Sequence, residues 1–309
     1  MPTNLIDKNA IVELAARAAG LDNDRGNPRV KQVANRLLCD LMIAIDELDI
    51  SMDEFWAGVA YIGQAAKDNE LGLVVPGVAL EHFLDLRLDE AEQQAGLAGG
   101  TARTIEGPLY VAGAPLMKGE ARLDDGTDDG EVLFMEGQVF NVDGKPVPGA
   151  IVDVWHANSF GFYSFFGPPQ SSYNLRRRIE TDQEGRYRFR SIMPSGYGCP
   201  PGSNTEKLLE LMGRHGQRPA HVHFFVTAPG YRLLTTQINI DGDKYLHDDF
   251  AFGTRADLIP PVERVAEAKA IHEAGLNKPF VRIGFDFRIT PETAGVPGTF
   301  VHREHAAAA

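Results

Sequence analysis

Cysteine is scarce in this chain, positive charge is in the minority, and no apolar run is long. Two cysteines, Cys39 and Cys199, cannot build a disulfide framework. Cys39 falls within a helical pattern and reads as a small buried apolar residue. Lysine and arginine number 30 against 43 aspartates and glutamates, a formal net charge of −13. A surface that acidic repels phosphate, which argues against nucleic acid or an anionic membrane as partner. The only basic cluster, Arg176 to Arg178, reads as a solvated strand entrance. No stretch approaches the roughly 20 apolar residues of a membrane span. The first residues, MPTNLIDKNAIVELAARAAG, lack a cationic start leading into an apolar core. No membrane insertion is expected, and the expected compartment is the cytoplasm.

What is present is the composition of an ordinary globular protein, 43% hydrophobic and 24% charged over 309 residues. Residues 1–100 carry helical periodicity. Val30, Val33, Leu37, Leu38, Leu41 and Ile45 recur at three- and four-residue spacing, one apolar stripe that suits either a core or a subunit interface. Asn27 before Pro28 predicts an N-cap, Ser51 opens another helix, and ALEHFLDLRLDEAEQQAGLAGG predicts a further one ending in glycines. Residues 101–130 read as a linker crossing the next domain. From 131 to 309 the period changes to two. EVLFMEGQVF, AIVDVWHA, GRYRFRSIM, AHVHFFVTA, TTQINI and FVRIGFDFRI are strand-like runs divided by turns at Asp143-Gly144, Glu184-Gly185 and Asp241-Gly242. The expected fold is mainly β: an antiparallel β-sandwich preceded by an α-helical domain. The tail HREHAAAA is expected to be disordered.

Chemistry concentrates in GQRPAHVHFFV. In a strand, side chains at i and i+2 share a face, so His221 and His223 stand side by side with Arg218 close by. Spacing alone leaves zinc, copper and iron open, as well as a solvated histidine pair. Zinc is the default for two histidines, and the two-histidine, one-carboxylate alternative finds no carboxylate nearby on the strand. Tyrosine is the other residue type to weigh. Tyr163 follows a glycine-containing turn, and Tyr197 stands between two glycines in a proline-rich loop, with little local packing to serve. Two phenolates with two imidazoles would favour Fe(III) by charge and hardness. A zinc hydrolase and a metal-free binding module remain the competing readings.

The stretches GNPRVKQVANRLLCDL, TIEGPLYVAGAP, VDVWHANSFGFYS, MPSGYGCPP, RPAHVHFFV and LTTQINIDGDKYLHDDFAFGTR, in that order, resemble the intradiol ring-cleaving dioxygenases, in their catechol-cleaving branch. The likeness runs from about residue 26 to 290. It implies a helical dimerisation domain joined to a β-sandwich that holds Fe(III), and it implies a homodimer. It implies that Tyr163, Tyr197, His221 and His223 are the iron ligands, Tyr197 and His223 axial, with hydroxide completing the site. It implies cleavage of catechol by O2 to cis,cis-muconate in aromatic-compound degradation. In that chemistry Tyr197 leaves the metal to accept a substrate proton, Arg218 stabilises charge on the ring, and Gln237 lines the site. Leu73, Pro76, Ile105, Pro108, Leu109, Phe250 and Ala251 match the substrate wall. A hydroxyquinol- or chlorocatechol-cleaving relative is the alternative, and the apolar wall offers no partner for a third hydroxyl. The likeness also implies a phospholipid in an apolar tunnel at the helical interface. His156 reads as a structural hydrogen-bonding residue, His82 and His215 as solvated or structural, and Trp155 as core.

Overall fold

The computed structural model describes residues 5–300. Two compact units are present, one up to Asp68 and one from Asn69 onward. The first holds α1 (Lys8–Ala18), α2 (Pro28–Glu47) and α3 (Met52–Lys67). Each begins on a residue able to satisfy the free amides of a first turn. Asp7 accepts from Asn9 and Ala10, and Asn27 accepts from Arg29 and Val30 ahead of Pro28 in α2. Ser51 and Glu54 form a reciprocal capping box at α3. The α2 stripe faces outward: Val30, Val33, Leu37 and Leu41 are all exposed. Cys39 is half-buried, not enclosed as its helical setting suggested, because α2 has no fully buried residue.

The second unit opens with α4 (Leu71–Gly77) and α5 (Leu80–Gln94). Their helical pattern groups them with residues 1–100, yet they are tied to the β elements. On α5, Glu92 receives ion pairs from Arg103 and Arg232. The Gly77 carbonyl of α4 accepts from Arg214. Charged groups buried by tertiary contact, invisible to periodicity, place these helices.

The strands that follow are β1 (Leu116–Lys118), β2 (Glu120–Arg122), β3 (Val132–Asn141), β4 (Ile151–His156), β5 (Arg176–Glu180), β6 (Arg186–Ile192) and β7 (Tyr197–Gly198). After α6 (Asn204–Leu211) come β8 (Gln217–Arg218), β9 (His221–Thr227), β10 (Leu234–Asn239) and β11 (Glu263–Val265). Then α7 (Ala268–Glu273), β12 (Phe280–Gly284) and β13 (Phe287–Ile289) complete the unit. One sheet has the order β1-β5-β4-β9-β10 and another β11-β12-β3-β6-β2, with β13 also on β3; β7 and β8 form a separate ribbon.

The sheets are mixed, which corrects the expectation of an antiparallel arrangement. Antiparallel pairs join β3 to β6, β4 to β5 and β9, and β9 to β10. The pairs β1–β5, β2–β6, β12–β3 and β13–β3 are parallel. Two of these arise because the linker contributes one strand to each sheet, and strand direction leaves no trace in a local pattern. The run FVRIGFDFRI is two strands, not one. At its break Asp286 accepts from the Gln138 amide at 2.9 Å, and the Phe285 carbonyl lies where any Cβ on Gly137 would sit. Both sheets bury one apolar cluster that includes Met135, Val152, Val154, Phe189, Val222, Phe224 and Phe287. The tail from 301 lies outside the described residues.

Strand β4 alternates faces. Val152 and Val154 enter the core, while Asp153 and Trp155 point the other way, where Asp153 accepts from Tyr110 Oη at 2.8 Å. Burial raises the Asp153 pKa to about 6, against the opposing pull of Tyr110, Arg178 and Arg176. A raised carboxyl pKa favours the protonated native form. Its stabilisation is complete below about pH 4 and lost as pH rises through about 6. Asp153→Asn should therefore flatten the fall in stability between pH 4 and 6 by up to roughly 1.4 kcal/mol per pH unit, read from urea denaturation across that range.

Candidate active site

Strand β9 is buried on both sides. Val222, Phe224 and Val226 enter the core, and His221 and His223 take the opposite face, each 2% exposed. Their Nε2 atoms approach to 3.0 Å. Tyr163 arrives from the loop after β4 with its hydroxyl 3.4 Å from His221 Nε2 and 3.5 Å from the Tyr197 hydroxyl. Tyr197 lies on β7, paired in register with Arg218 of β8. The two tyrosine loops meet at Gly161, whose φ is +83° and whose missing Cβ would press to 3.0 Å on the Gly196 carbonyl oxygen and the Tyr197 Cβ. Only glycine serves there, on both conformation and space.

The two histidines are held differently. His221 Nδ1 lies 2.7 Å from the Pro219 carbonyl oxygen. That contact assigns the proton to Nδ1 and leaves the Nε2 lone pair toward the tyrosines. His223 is oriented by Trp155, stacked on it at 4.9 Å with 4° between ring planes. Burial, reinforced by Arg218, lowers the His221 pKa to about 3, and burial beside His221 holds His223 well below its usual value. Both are neutral imidazoles with lone pairs to offer. Burial and the neighbouring Tyr197 raise Tyr163 well above the ordinary phenol value, opposed by Arg218 and Arg176. A phenol so enclosed ionises only when a cation compensates it.

Arg218 is 4% exposed, and burial alone would disfavour its charge. Asp249 reverses that: its carboxylate meets Arg218 Nη2 at 3.0 Å and Nε at 3.1 Å. Asp249 is kept below its normal pKa by Arg218 against the cost of burial, and it also accepts from the Ala251 and Gly253 amides. The other donors of Arg218 reach Gln237 Oε1 at 2.9 Å and His221 Nε2 at 3.1 Å. Gln237, opposite His223 on β10, spends its amide on Asn239 and the Gly253 carbonyl. Arg218 is thus aimed at the histidine–tyrosine cluster by a carboxylate on one side and an amide on the other.

Leu73, Pro76, Ile105, Pro108, Leu109, Phe250 and Ala251 line one cleft together with Tyr197 and Arg218; Tyr163 lies outside that lining. Gly107, Gly198 and Cys199 complete it. A larger concavity, about 1020 Å³, lies instead over the six-stranded sheet among Arg188, Arg282, Glu120 and Glu136. Its charges are solvated and mixed in sign, with no convergent donor set, so the chemistry belongs to the smaller cleft. His156 is spent on the Ala157 carbonyl and Ser191, each at 2.7 Å.

Three residues around the site escaped the sequence reading. Asp249 lies 31 positions from the arginine it pairs with. Trp155 is buried as core, yet one of its π-faces is stacked on His223. Arg176 is 1% exposed, which overturns the solvated strand entrance. All three arginines of that run bind backbone carbonyls: Arg176 that of Leu109, Arg177 that of Tyr173 and Arg178 that of Ala114. The strand register, placing Arg176 opposite Trp155, is the signal that would have found it.

Metal-ligand bonds of about 2.0–2.2 Å set adjacent donor atoms roughly 3 Å apart. The separations of 3.0, 3.4 and 3.5 Å among the two imidazole nitrogens and two phenol oxygens match that spacing. Among the described residues no group of three or more His, Cys, Asp or Glu side chains converges as a metal site, so a metal here depends on the tyrosines.

Residues 27–96 match the sequence family described as the catechol dioxygenase N terminus, and residues 105–291 match the one described as dioxygenase. The chain belongs to this catechol dioxygenase family. It is 57% identical to catechol 1,2-dioxygenase 2 of Acinetobacter lwoffii, over 86% of this chain and 96% of that protein. It is 47% identical to catechol 1,2-dioxygenase of Acinetobacter baylyi, over 99% and 100%. The crystal structure of wild-type Acinetobacter radioresistens catechol 1,2-dioxygenase superposes with a TM-score of 0.92 at 49% identity, covering 99% of this chain and 100% of that one.

Removing Asp249 leaves the Arg218 charge buried and unpaired. Asp249→Ala should cost about 3–5 kcal/mol of stability, whereas Asp248→Ala, on an exposed neighbour, should cost under about 0.5 kcal/mol. Parallel denaturant titrations of the two variants check this.

Proposed function

We propose that the chain is an iron-dependent catechol 1,2-dioxygenase, cleaving catechol with O2 between its oxygen-bearing carbons to cis,cis-muconate. The observation that carries the reading is the convergence of Tyr163, Tyr197, His221 and His223 beside an apolar cleft into which Arg218 is aimed. These four would hold the metal, and phenolate hardness favours the ferric state. When bound, Fe(III) would supply a Lewis acid for the two oxygens of the deprotonated diol and activate it toward O2.

The chain's own residues do the rest. The apolar wall of Leu73, Pro76, Ile105 and Phe250 admits a flat ring and excludes water from it. Of the two tyrosines, Tyr197 lines the cleft and is partly accessible, while Tyr163 is 2% exposed. Tyr197 is therefore placed to take a proton from the entering diol, and Tyr163 to remain fixed. Arg218 carries a permanent charge beside the reacting atoms and stabilises negative charge as it develops on the substrate. Gln237 holds the guanidinium in that direction.

Two finer readings accompany this one. The two sheets with their shared core would form the β-sandwich of the catalytic unit. The outward apolar stripe of α2, with Val30 63% and Leu37 64% exposed, would be covered in a homodimer and could line a tunnel for a phospholipid. Two free cysteines suit a cytoplasmic enzyme, and no helix among the described residues is long and apolar enough to cross a membrane.

Oxygen uptake matched mole for mole by cis,cis-muconate, with catechol turned over faster than hydroxyquinol or chlorocatechol, is the expected result. Absence of muconate from iron-loaded protein sinks the assignment. Arg218→Ala should lose about 10²–10³ in kcat while keeping its iron, measured by metal analysis beside the rate. Leu37→Glu should turn a dimer into a monomer in sedimentation velocity without changing the activity per site.

A further inference from the structure

Arg218 is not the only buried arginine at the candidate ligands: Arg218 meets His221, and Arg176, also buried, lies against the Tyr163 ring. Arg176 opens β5 directly opposite Trp155, the ring that orients His223. A fully buried guanidinium ordinarily sits against a carboxylate. Here Asp153 acts on it only electrostatically, and the hydrogen-bond partners are of another kind. Nε donates to Ser164 Oγ at 2.9 Å, and Nη2 donates to the Leu109 carbonyl at 2.8 Å and the Ser164 carbonyl at 3.2 Å. Its carbon lies 5.7 Å from the centre of the Tyr163 ring and 5.8 Å from those of Phe165 and Phe166. Nη1 is buried with no hydrogen-bond partner among the described residues.

Two of those contacts lead to the active site by different routes. Leu109 is part of the cleft wall, and Ser164 is the residue after Tyr163. One planar group therefore fixes the backbone of the substrate wall and the backbone of a candidate metal ligand in a single frame. Its charge acts on the same ligand: a cation over a phenol ring stabilises the anionic form and lowers the energy of its donor electrons.

We propose that Arg176 is a positioning residue of the reaction, holding the Tyr163 ring and the Leu109 wall in one frame and tuning the electron donation of the Tyr163 phenolate. The proposal rests on the reading of Tyr163 as an iron ligand. Three iron-loaded variants test it: Arg176→Gln, Arg176→Lys, and Arg178→Gln as a control that removes a loop-tying arginine with no cation–π contact among the described residues. The readouts are iron per chain, the phenolate-to-iron absorption band, and kcat and KM for catechol.

Arg176→Gln should move the band to longer wavelength, because the phenolate donor level rises when the cation is gone, and should raise KM several-fold. Arg176→Lys keeps the charge and loses the fork, so its band should stay near the wild-type position while KM still rises. A folded, iron-loaded Arg176→Gln with wild-type band and KM overturns the proposal. So does an equal band shift in Arg178→Gln, which would make the effect one of general loosening. Should Arg176→Gln fail to fold, Arg176→Lys decides: a wild-type KM there refutes the positioning role. A wild-type protein that binds iron without any phenolate band overturns the ligand set itself, and this proposal with it.

Discussion

A strand whose first four residues, His221 to Phe224, are buried on both faces constrains this molecule more than any other element. Strand β9 drives Val222, Phe224 and Val226 into the shared core and must therefore present His221 and His223 to the opposite side. Burying two imidazoles there is tolerable only where other groups complete a polar site around them. The loops that carry Tyr163 and Tyr197, the β8 arginine and the β10 glutamine all converge on that face. A one-residue slip of β9 would exchange the histidines for Val222 and Phe224 and dissolve core and site together.

Charge sets the second condition. The cleft is mostly apolar, yet it borders a buried guanidinium and a half-buried phenol, with a second, fully buried phenol behind them. Asp249 makes Arg218 tolerable by a two-point contact, and Arg176 is kept by carbonyls, a hydroxyl and three aromatic faces. The buried Tyr163 phenol, held well above its ordinary pKa, and the two arginines that oppose that shift belong to one electrostatic arrangement.

Much of this was legible in the sequence. The helix starts at Asn27 and Ser51 were readable because capping is local chemistry, complete within three or four residues. The same holds for the turns at Gly144, Gly185 and Gly242, all at positive φ. The pairing of His221 and His223 needed only the two-residue period of a strand. The resemblance of the long motifs implies one site for Tyr163, Tyr197, Arg218 and Gln237, and in the fold contacts through His221 and Arg218 link the four. The attachment of α4 and α5 to the β unit, the parallel strands of the linker and the split between β12 and β13 were not readable. Each depends on a partner tens of residues away.

The sequence by itself determined the element types, the caps and turns, the histidine pair and the residue types available for chemistry, because these follow from short-range sterics, hydrogen bonding and periodicity. Tertiary structure alone decided which cations are buried and what they face. Arg176, Arg177 and Arg178 form one basic run on paper. In the fold the first lies beneath Tyr163 and the other two tie down separate loops. Alternation sends successive side chains of a strand in opposite directions, but what waits on either side is set by elements that arrive from elsewhere in the chain.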